Sequence, residues 1–179
     1  MSLVRYGIVG LGGMGRQHAT YLNAGTIKGA VLTAVSDTFP DAQQWAQANL
    51  APTVAFFESY AAMLDSGLVD AIIVATPHYF HPDLAVQALH KQLHVLIEKP
   101  AGVYTQQVRQ MNEVASASGK TFGIMYNQRT NPVFAKVRDM IATGELGVIK
   151  RFNWIITDWY RSQAYYNSGS WRATWAQEG

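Results

Sequence analysis

Runs of consecutive apolar residues alternate along the chain with runs that repeat apolar positions at helical spacing, and Gly or Pro marks most of the changes. This pattern predicts strands over Val4–Gly10, Ala30–Asp37, Thr53–Phe57, Val69–Thr76, His94–Lys99 and Thr121–Tyr126. Between them it predicts helices at Gly13–Ala24, Pro40–Asn49, Ser59–Ser66, Pro82–Lys91 and Thr105–Ser118. Gly25, Gly67 and Gly119 each follow a helical run, where a left-handed residue ends a helix at least cost. Pro40 and Pro82 stand where a first helical turn begins. The stretch Ala71-Ile72-Ile73-Val74-Ala75 is apolar without alternation, as in a strand covered by helices on both faces. Six such strands imply a doubly wound parallel α/β sheet that takes its ligand at the carboxyl ends of the strands.

After Tyr126 the pattern changes. A helix is predicted near Pro132–Thr143, with Asn131 as its cap. Ile149–Trp159 then alternates, with Phe152, Trp154 and Ile156 on one face and Asn153, Ile155 and Thr157 on the other, which predicts a strand of a second sheet. Four of the five tryptophans fall between Trp154 and Trp175. Two domains are expected: residues 1–125, a nucleotide-binding domain, and residues 126–179, the start of a second α/β domain that stops partway. A lone strand cannot bury its own face, so copies of the chain are expected to associate through the second-domain sheet.

Composition removes several function classes. At 179 residues and 49% hydrophobic content the chain can bury a full core. Fourteen Lys and Arg against twelve Asp and Glu leave a net charge of +2 with no basic cluster, so no nucleic-acid partner is expected. No apolar stretch is long enough for a membrane span, and the chain opens on a strand without a basic leader. The absence of cysteine excludes disulfides and thiolate metal sites and fits a cytoplasmic protein.

The most informative segment is Gly7-Ile8-Val9-Gly10-Leu11-Gly12-Gly13-Met14-Gly15, which closes the first strand and opens the first helix. It carries Gly-x-Gly-x-x-Gly at Gly10, Gly12 and Gly15, and Asp37 follows 22 positions later at the end of the second strand. In this context the motif points to a dinucleotide. Gly10 permits the tight turn, Gly12 lets backbone approach a diphosphate, and Gly15 lets helix and strand pack closely. Gly13 and Met14 bring the helix amino end, with its free N–H groups and partial positive charge, to the phosphates. Asp37 is suited to accept hydrogen bonds from both ribose hydroxyls and to repel a 2′-phosphate. No Lys or Arg lies between Lys28 and Lys91, so NAD is expected over NADP, with Arg16 the one nearby cation. Another adenosine cofactor on a similar sheet, such as S-adenosylmethionine, is the alternative ligand.

Further motifs follow in order. Ala75-Thr76-Pro77 ends the fourth strand with His81 four residues beyond, Glu98-Lys99-Pro100 ends the fifth, and Tyr126-Asn127-Gln128-Arg129 ends the sixth. Gly144-Glu145-Leu146-Gly147 and Trp171-Arg172-Ala173-Thr174-Trp175 come later. Together these resemble the Gfo/Idh/MocA oxidoreductases, the family of glucose-fructose oxidoreductase and inositol dehydrogenase. The resemblance implies an NAD- or NADP-dependent dehydrogenase acting on a sugar, cyclitol or related polyol, in a chain roughly twice this long. It implies that Lys99 hydrogen-bonds the reacting hydroxyl or the nicotinamide region and that Pro100 follows a cis bond. It also implies that this form, lacking the family's second-domain Asp and His, is impaired. A dinucleotide-binding module or sensor without turnover is the alternative.

The remaining candidates are read against plainer roles. Lys99 ends a buried strand at the cofactor edge of the sheet, where a lysine can donate to a developing alkoxide and pass its proton on; otherwise it is a surface lysine. Glu98 is expected to orient Lys99 or balance its charge beside the cofactor. Thr76, Pro77 and His81 are assigned to the nicotinamide side. His78 and His81 lack a third ligand, so no metal is expected. His18, His90 and His94 read as helix-surface or strand-end residues without a role. Asn127 either faces substrate or caps the crossover between domains. Trp171 and Arg172 are candidate substrate contacts, although the aromatic tail reads first as core and subunit interface.

Overall fold

In a computed structural model that describes residues 3–157, 160–169 and 171–175, the chain divides into two compact units between Met125 and Tyr126. The first holds six strands: β1 (Val4–Val9), β2 (Ala30–Ser36), β3 (Ala55–Phe57), β4 (Ala71–Val74), β5 (His94–Ile97) and β6 (Phe122–Ile124). The helices between them are α1 (Gly13–Asn23), α2 (Pro40–Asn49), α3 (Tyr60–Asp65), α4 (His81–His90) and α5 (Thr105–Ser118). All strand pairs are parallel, in the order β3-β2-β1-β4-β5-β6, so the chain reverses its direction of winding between β1 and β4. This is a Rossmann-type doubly wound sheet.

Local chemistry explains the element ends. Pro40 opens α2 at a position whose N–H has no helical partner, and Ser59 caps α3 by accepting from the Ala62 N–H. Gly119 ends α5 at φ 68°, a left-handed conformation that costs glycine least. Two apolar layers hold the sheet. Ile8, Leu32, Val35 and Ile73 pack under Ala19 and Leu22 of α1 and Ala42 and Ala46 of α2. On the other face Val9, Ile72, Val74, Val95 and Ile97 pack under Met63 of α3, Ala85 and Leu89 of α4, and Met111 of α5. A fully buried side chain such as Ile8 or Ile72 contributes about 1.5–3 kcal/mol.

Register then positions the site. Val9 pairs with Val74 and Val74 with Ile97, so β1, β4 and β5 end level. The residues that follow them, from Gly10, Ala75 and Glu98 onward, emerge at one edge beside the switch between β1 and β4.

The second unit contains a 3₁₀ turn at Asn127–Thr130, α6 (Pro132–Ala142) and a short α7 (Gln163–Asn167). Asn131 caps α6 by accepting from the Val133 N–H. The strand expected over Ile149–Trp159 does not form: residues 149–157 carry no regular structure, and positions 158 and 159 lie outside the described residues. Alternation makes a strand only where a neighbour supplies ladder hydrogen bonds, and no described segment does. The aromatic face instead folds locally, with the Trp154 ring 5.0 Å from that of Phe134 and 5.9 Å from that of Phe152.

Candidate nucleotide-binding and catalytic site

The three motif glycines meet different surroundings. Gly10 has φ 89°, and a Cβ there would lie 2.8 Å from the Ala75 carbonyl oxygen, so the turn out of β1 needs glycine twice over. A Cβ on Gly15 would lie 1.8 Å from the Gly10 carbonyl oxygen, which makes Gly15 the point where α1 rests on the turn. A Cβ on Gly12 would meet nothing within 4 Å. Gly12 is also the residue that precedes α1, and no side chain caps that end. The first-turn N–H groups at Gly13 and Met14 are therefore left for a ligand, and the space over Gly12 admits one. These features fit a diphosphate.

Asp37 stands one residue past β2, part-buried. Its Oδ2 accepts the Leu11 N–H at 2.6 Å and its Oδ1 accepts the Phe39 N–H at 3.0 Å. The carboxylate thus fixes the middle of the Gly-rich loop while each oxygen keeps a lone pair for a ribose hydroxyl. Arg16 Nε donates to the Leu11 carbonyl at 2.8 Å, and its guanidinium lies 5.2 Å from the centre of the Trp45 ring. The nearby cation is folded onto the loop and the indole.

The β4 and β5 loops are tied to each other by His81. Its ring is fully buried, with Nδ1 2.8 Å from the Pro100 carbonyl and Nε2 2.7 Å from the Thr76 carbonyl. Both ring nitrogens are engaged by main chain, so His81 braces the two loops and leaves no polar atom for a ligand. His78, three residues earlier, lies with its ring 5.9 Å from that of His81. Among the described residues no three His, Cys, Asp or Glu side chains gather as a metal site. Thr76 and Pro77 lead from β4 into a 3₁₀ turn at His78–Phe80.

Glu98 and Lys99 follow β5. The Lys99–Pro100 peptide bond is cis. Lys99 is exposed, whereas Glu98 is 6% exposed. Glu98 Oε1 lies 2.8 Å from His18 Nε2, and Oε2 accepts the Lys99 N–H at 3.3 Å. Burial pushes the Glu98 carboxyl upward, but the hydrogen bond and charge of His18, with the N–H and charge of Lys99, outweigh it and hold it below its ordinary value. The surface reading of His18 is therefore corrected. Its side chain is 15% exposed and faces inward from α1. The sequence did carry a signal, because His18 shares a helical stripe with Gly15 and Leu22, both buried.

In the second unit the Asn127 carbonyl accepts from the Thr130 hydroxyl at 2.8 Å. Arg172 Nη1 donates to the Tyr165 hydroxyl at 2.6 Å, and its guanidinium stacks on Tyr165 and Trp171 at 4.4 and 4.7 Å. Arg172 is thereby built into an aromatic cluster. No helix among the described residues is long and apolar enough to cross a membrane.

A Gly-rich turn at the switch point, an uncapped helix amino end and a carboxylate after β2 define a dinucleotide-binding domain. Residues 4–126 match a family model described as an oxidoreductase family with an NAD-binding Rossmann fold. The chain belongs to this Gfo/Idh/MocA oxidoreductase family. Among its relatives is glucose-6-phosphate 3-dehydrogenase of Bacillus subtilis, 33% identical over 81% of this chain and 40% of the relative. Scyllo-inositol dehydrogenase from Lactobacillus casei, solved with NAD(H) and scyllo-inositol, superposes with a TM-score of 0.76 at 27% identity, over 82% of this chain and 43% of that one. The WlbA dehydrogenase from Bordetella pertussis, solved with NADH and UDP-GlcNAcA, gives a TM-score of 0.86 at 27% identity, over 99% of this chain and 50% of that one. The chain spans about half the length of the curated relatives it matches, or less.

Proposed function

We propose that the chain supplies the nucleotide-binding part of an NAD-dependent dehydrogenase acting on a hydroxyl of a sugar, cyclitol or related polyol. The observation that carries this reading is the shared edge on which the Gly10–Gly15 turn, Asp37 and Lys99 stand, level with the ends of β1, β2 and β5. Residues 1–125 would hold the nucleotide, and residues 126–179 would begin the substrate and oligomerisation domain. Asn127, Trp171 and Arg172 are its candidate substrate-facing residues.

The N–H groups of Gly13 and Met14 would bind the diphosphate, and Asp37 the adenosine ribose. A ribose carrying a 2′-phosphate would meet a like charge there, which supports NAD over NADP. Thr76 and Pro77 would flank the nicotinamide side, where bound NAD supplies the hydride acceptor. Lys99, exposed beside a buried carboxylate, would donate a hydrogen bond to the substrate oxygen and carry its proton toward solvent. His81 and Glu98 would act behind that edge by bracing its loops.

The test is calorimetry with NADH and NADPH, followed by incubation with NAD and myo-inositol, scyllo-inositol or glucose 6-phosphate while nicotinamide absorbance is recorded. NADH should bind more tightly than NADPH. Reduction by this chain alone should be slow, since Lys99 is the one proton-handling side chain the proposal brings to the edge. Lys99→Met should keep NADH affinity and abolish reduction. A folded protein that takes up neither nucleotide would refute the proposal, whereas binding with no reduction of NAD under any condition would leave a nucleotide-binding module.

A further inference from the structure

We infer that His18 is a positioning residue for Lys99, acting through the Glu98 carboxylate to fix the lysine-bearing turn to the helix whose amino end faces the diphosphate. The inference rests on the reading of Lys99 as the residue that serves the reacting oxygen. It starts from a chain of contacts. His18 stands on α1, three residues beyond Gly15, where the helix bears on the Gly10 turn. Its Nε2 meets Glu98 Oε1 at 2.8 Å, and Glu98 Oε2 takes the Lys99 N–H at 3.3 Å. The Glu98 N–H is itself anchored to the Val74 carbonyl at 2.9 Å. The backbone entering Lys99 is thus referenced to β4 on one side and to α1 on the other.

Burial gives this arrangement its force. A carboxylate that is 6% exposed cannot turn toward bulk water when a partner is lost, so its orientation follows the donors around it. His18 and the Lys99 N–H are the donors that the structure places on it. The groups facing the carboxylate carry the imidazole from α1 and the ammonium charge from Lys99, both of which favour its ionised form. Without the imidazole, the carboxylate has one long main-chain hydrogen bond to hold it, and the turn into Lys99 loses its link to α1. A nucleotide that draws in the amino end of α1 would move His18 with the helix. The same movement would reach Lys99 through two hydrogen bonds, so cofactor seating and lysine placement would be set together.

The experiment uses the full chain labelled with ¹³C at lysine and ¹⁵N at histidine. Lys99→Arg assigns the Lys99 ε-methylene signal, and His18→Gln assigns the His18 ring signals. In the protein without nucleotide, His18→Ala and Glu98→Gln should each shift the Lys99 ε-methylene signal by more than its linewidth and leave the other lysines in place. His18→Gln, whose amide can donate from the position of the ring Nε2, should return it toward the parent position. NADH should move the His18 and Lys99 signals together in the parent and uncouple them in Glu98→Gln. A Lys99 signal that stays put in folded His18→Ala and Glu98→Gln overturns the inference. His18 lines an existing cavity of about 210 Å³, so its truncation widens a space already there. If His18→Ala nevertheless unfolds, Glu98→Gln and His18→Gln carry the comparison. Failure of NADH to bind any variant or the parent would sink the dehydrogenase reading, yet the nucleotide-free lysine shifts would still test the positioning contact by themselves.

Discussion

The surroundings of Gly12 and Gly15 predict that two chemically identical substitutions fail in different ways. Gly15→Ala puts a methyl group 1.8 Å from the Gly10 carbonyl oxygen, and real Cβ atoms essentially never approach within 3.0 Å. Helix and turn must therefore separate by about 1.2 Å. Forcing such an overlap into packed backbone costs about 3 kcal/mol. Helix propensity returns about 1 kcal/mol for Gly to Ala, so a net loss near 2 kcal/mol is expected. Gly12→Ala meets no protein atom within 4 Å and keeps an accessible backbone, φ −72° and ψ −164°. Its stability cost should stay below about 1 kcal/mol, the scale of a change at a helix cap. Its methyl group enters the space in which a diphosphate would lie against the helix end. If that clash resembles overpacking, about 1–3 kcal/mol, NADH affinity falls about five- to 150-fold. Urea unfolding and NADH calorimetry on both variants separate the effects. Gly12→Ala should lose affinity at nearly parental stability, and Gly15→Ala should lose both. Gly12→Ala binding NADH within twofold of the parent would remove the diphosphate from this loop end.

Three further outcomes follow from the same geometry. Asp37→Asn keeps an acceptor for the Leu11 N–H but removes the charge, so the preference for NADH over NADPH should shrink. Like charges about 4 Å apart cost roughly 1–4 kcal/mol, or about five- to a thousandfold in that ratio, and an unchanged ratio would exclude Asp37 from ribose recognition. Glu98 and Asp70 are both held below their ordinary values, Asp70 chiefly by the Arg5 guanidinium. Their stabilisation is present above the unfolded carboxyl values near 4 and is lost as pH falls through the lower folded values. The urea midpoint should hold from neutral pH to about pH 5 and drop below about pH 4, and a rise there would contradict this sign. Ile72→Ala, in a site with 0% exposure, should cost about 2–5 kcal/mol, whereas Val148→Ala, at 87% exposure, should stay within about 0.5 kcal/mol.

Apolar runs and their punctuation placed each strand and α-helix described in the first unit, though not the 3₁₀ turn at His78–Phe80, because the signals there are local: Pro40 opens α2, Ser59 caps α3 and Gly119 closes α5. The strands are shorter than the apolar pattern implied, and the shortening is concentrated where chemistry is proposed. Asp37, Thr76 and Lys99 read as last strand residues, yet each lies past the ladder. A side chain held in the ladder has its direction set by the pleat, whereas one residue further on it is free to turn toward a ligand. The Ile149–Trp159 alternation misled for the complementary reason, since a strand is a property of two segments and the pattern reports one. The bracing role of His81 and the inward placement of His18 escaped because each has a partner that the fold brings in. The carbonyls that engage His81 belong to two different loops, and Glu98 lies 80 positions from His18. Glu98 is where the two kinds of information meet. Its place at the carboxyl end of a buried strand was visible in the sequence, but a buried carboxylate is tolerable only with donors around it, and one of those donors comes from the helix that opens at the Gly-rich turn. The requirement for a partner is thus legible from burial alone, and the fold decides that the partner is His18.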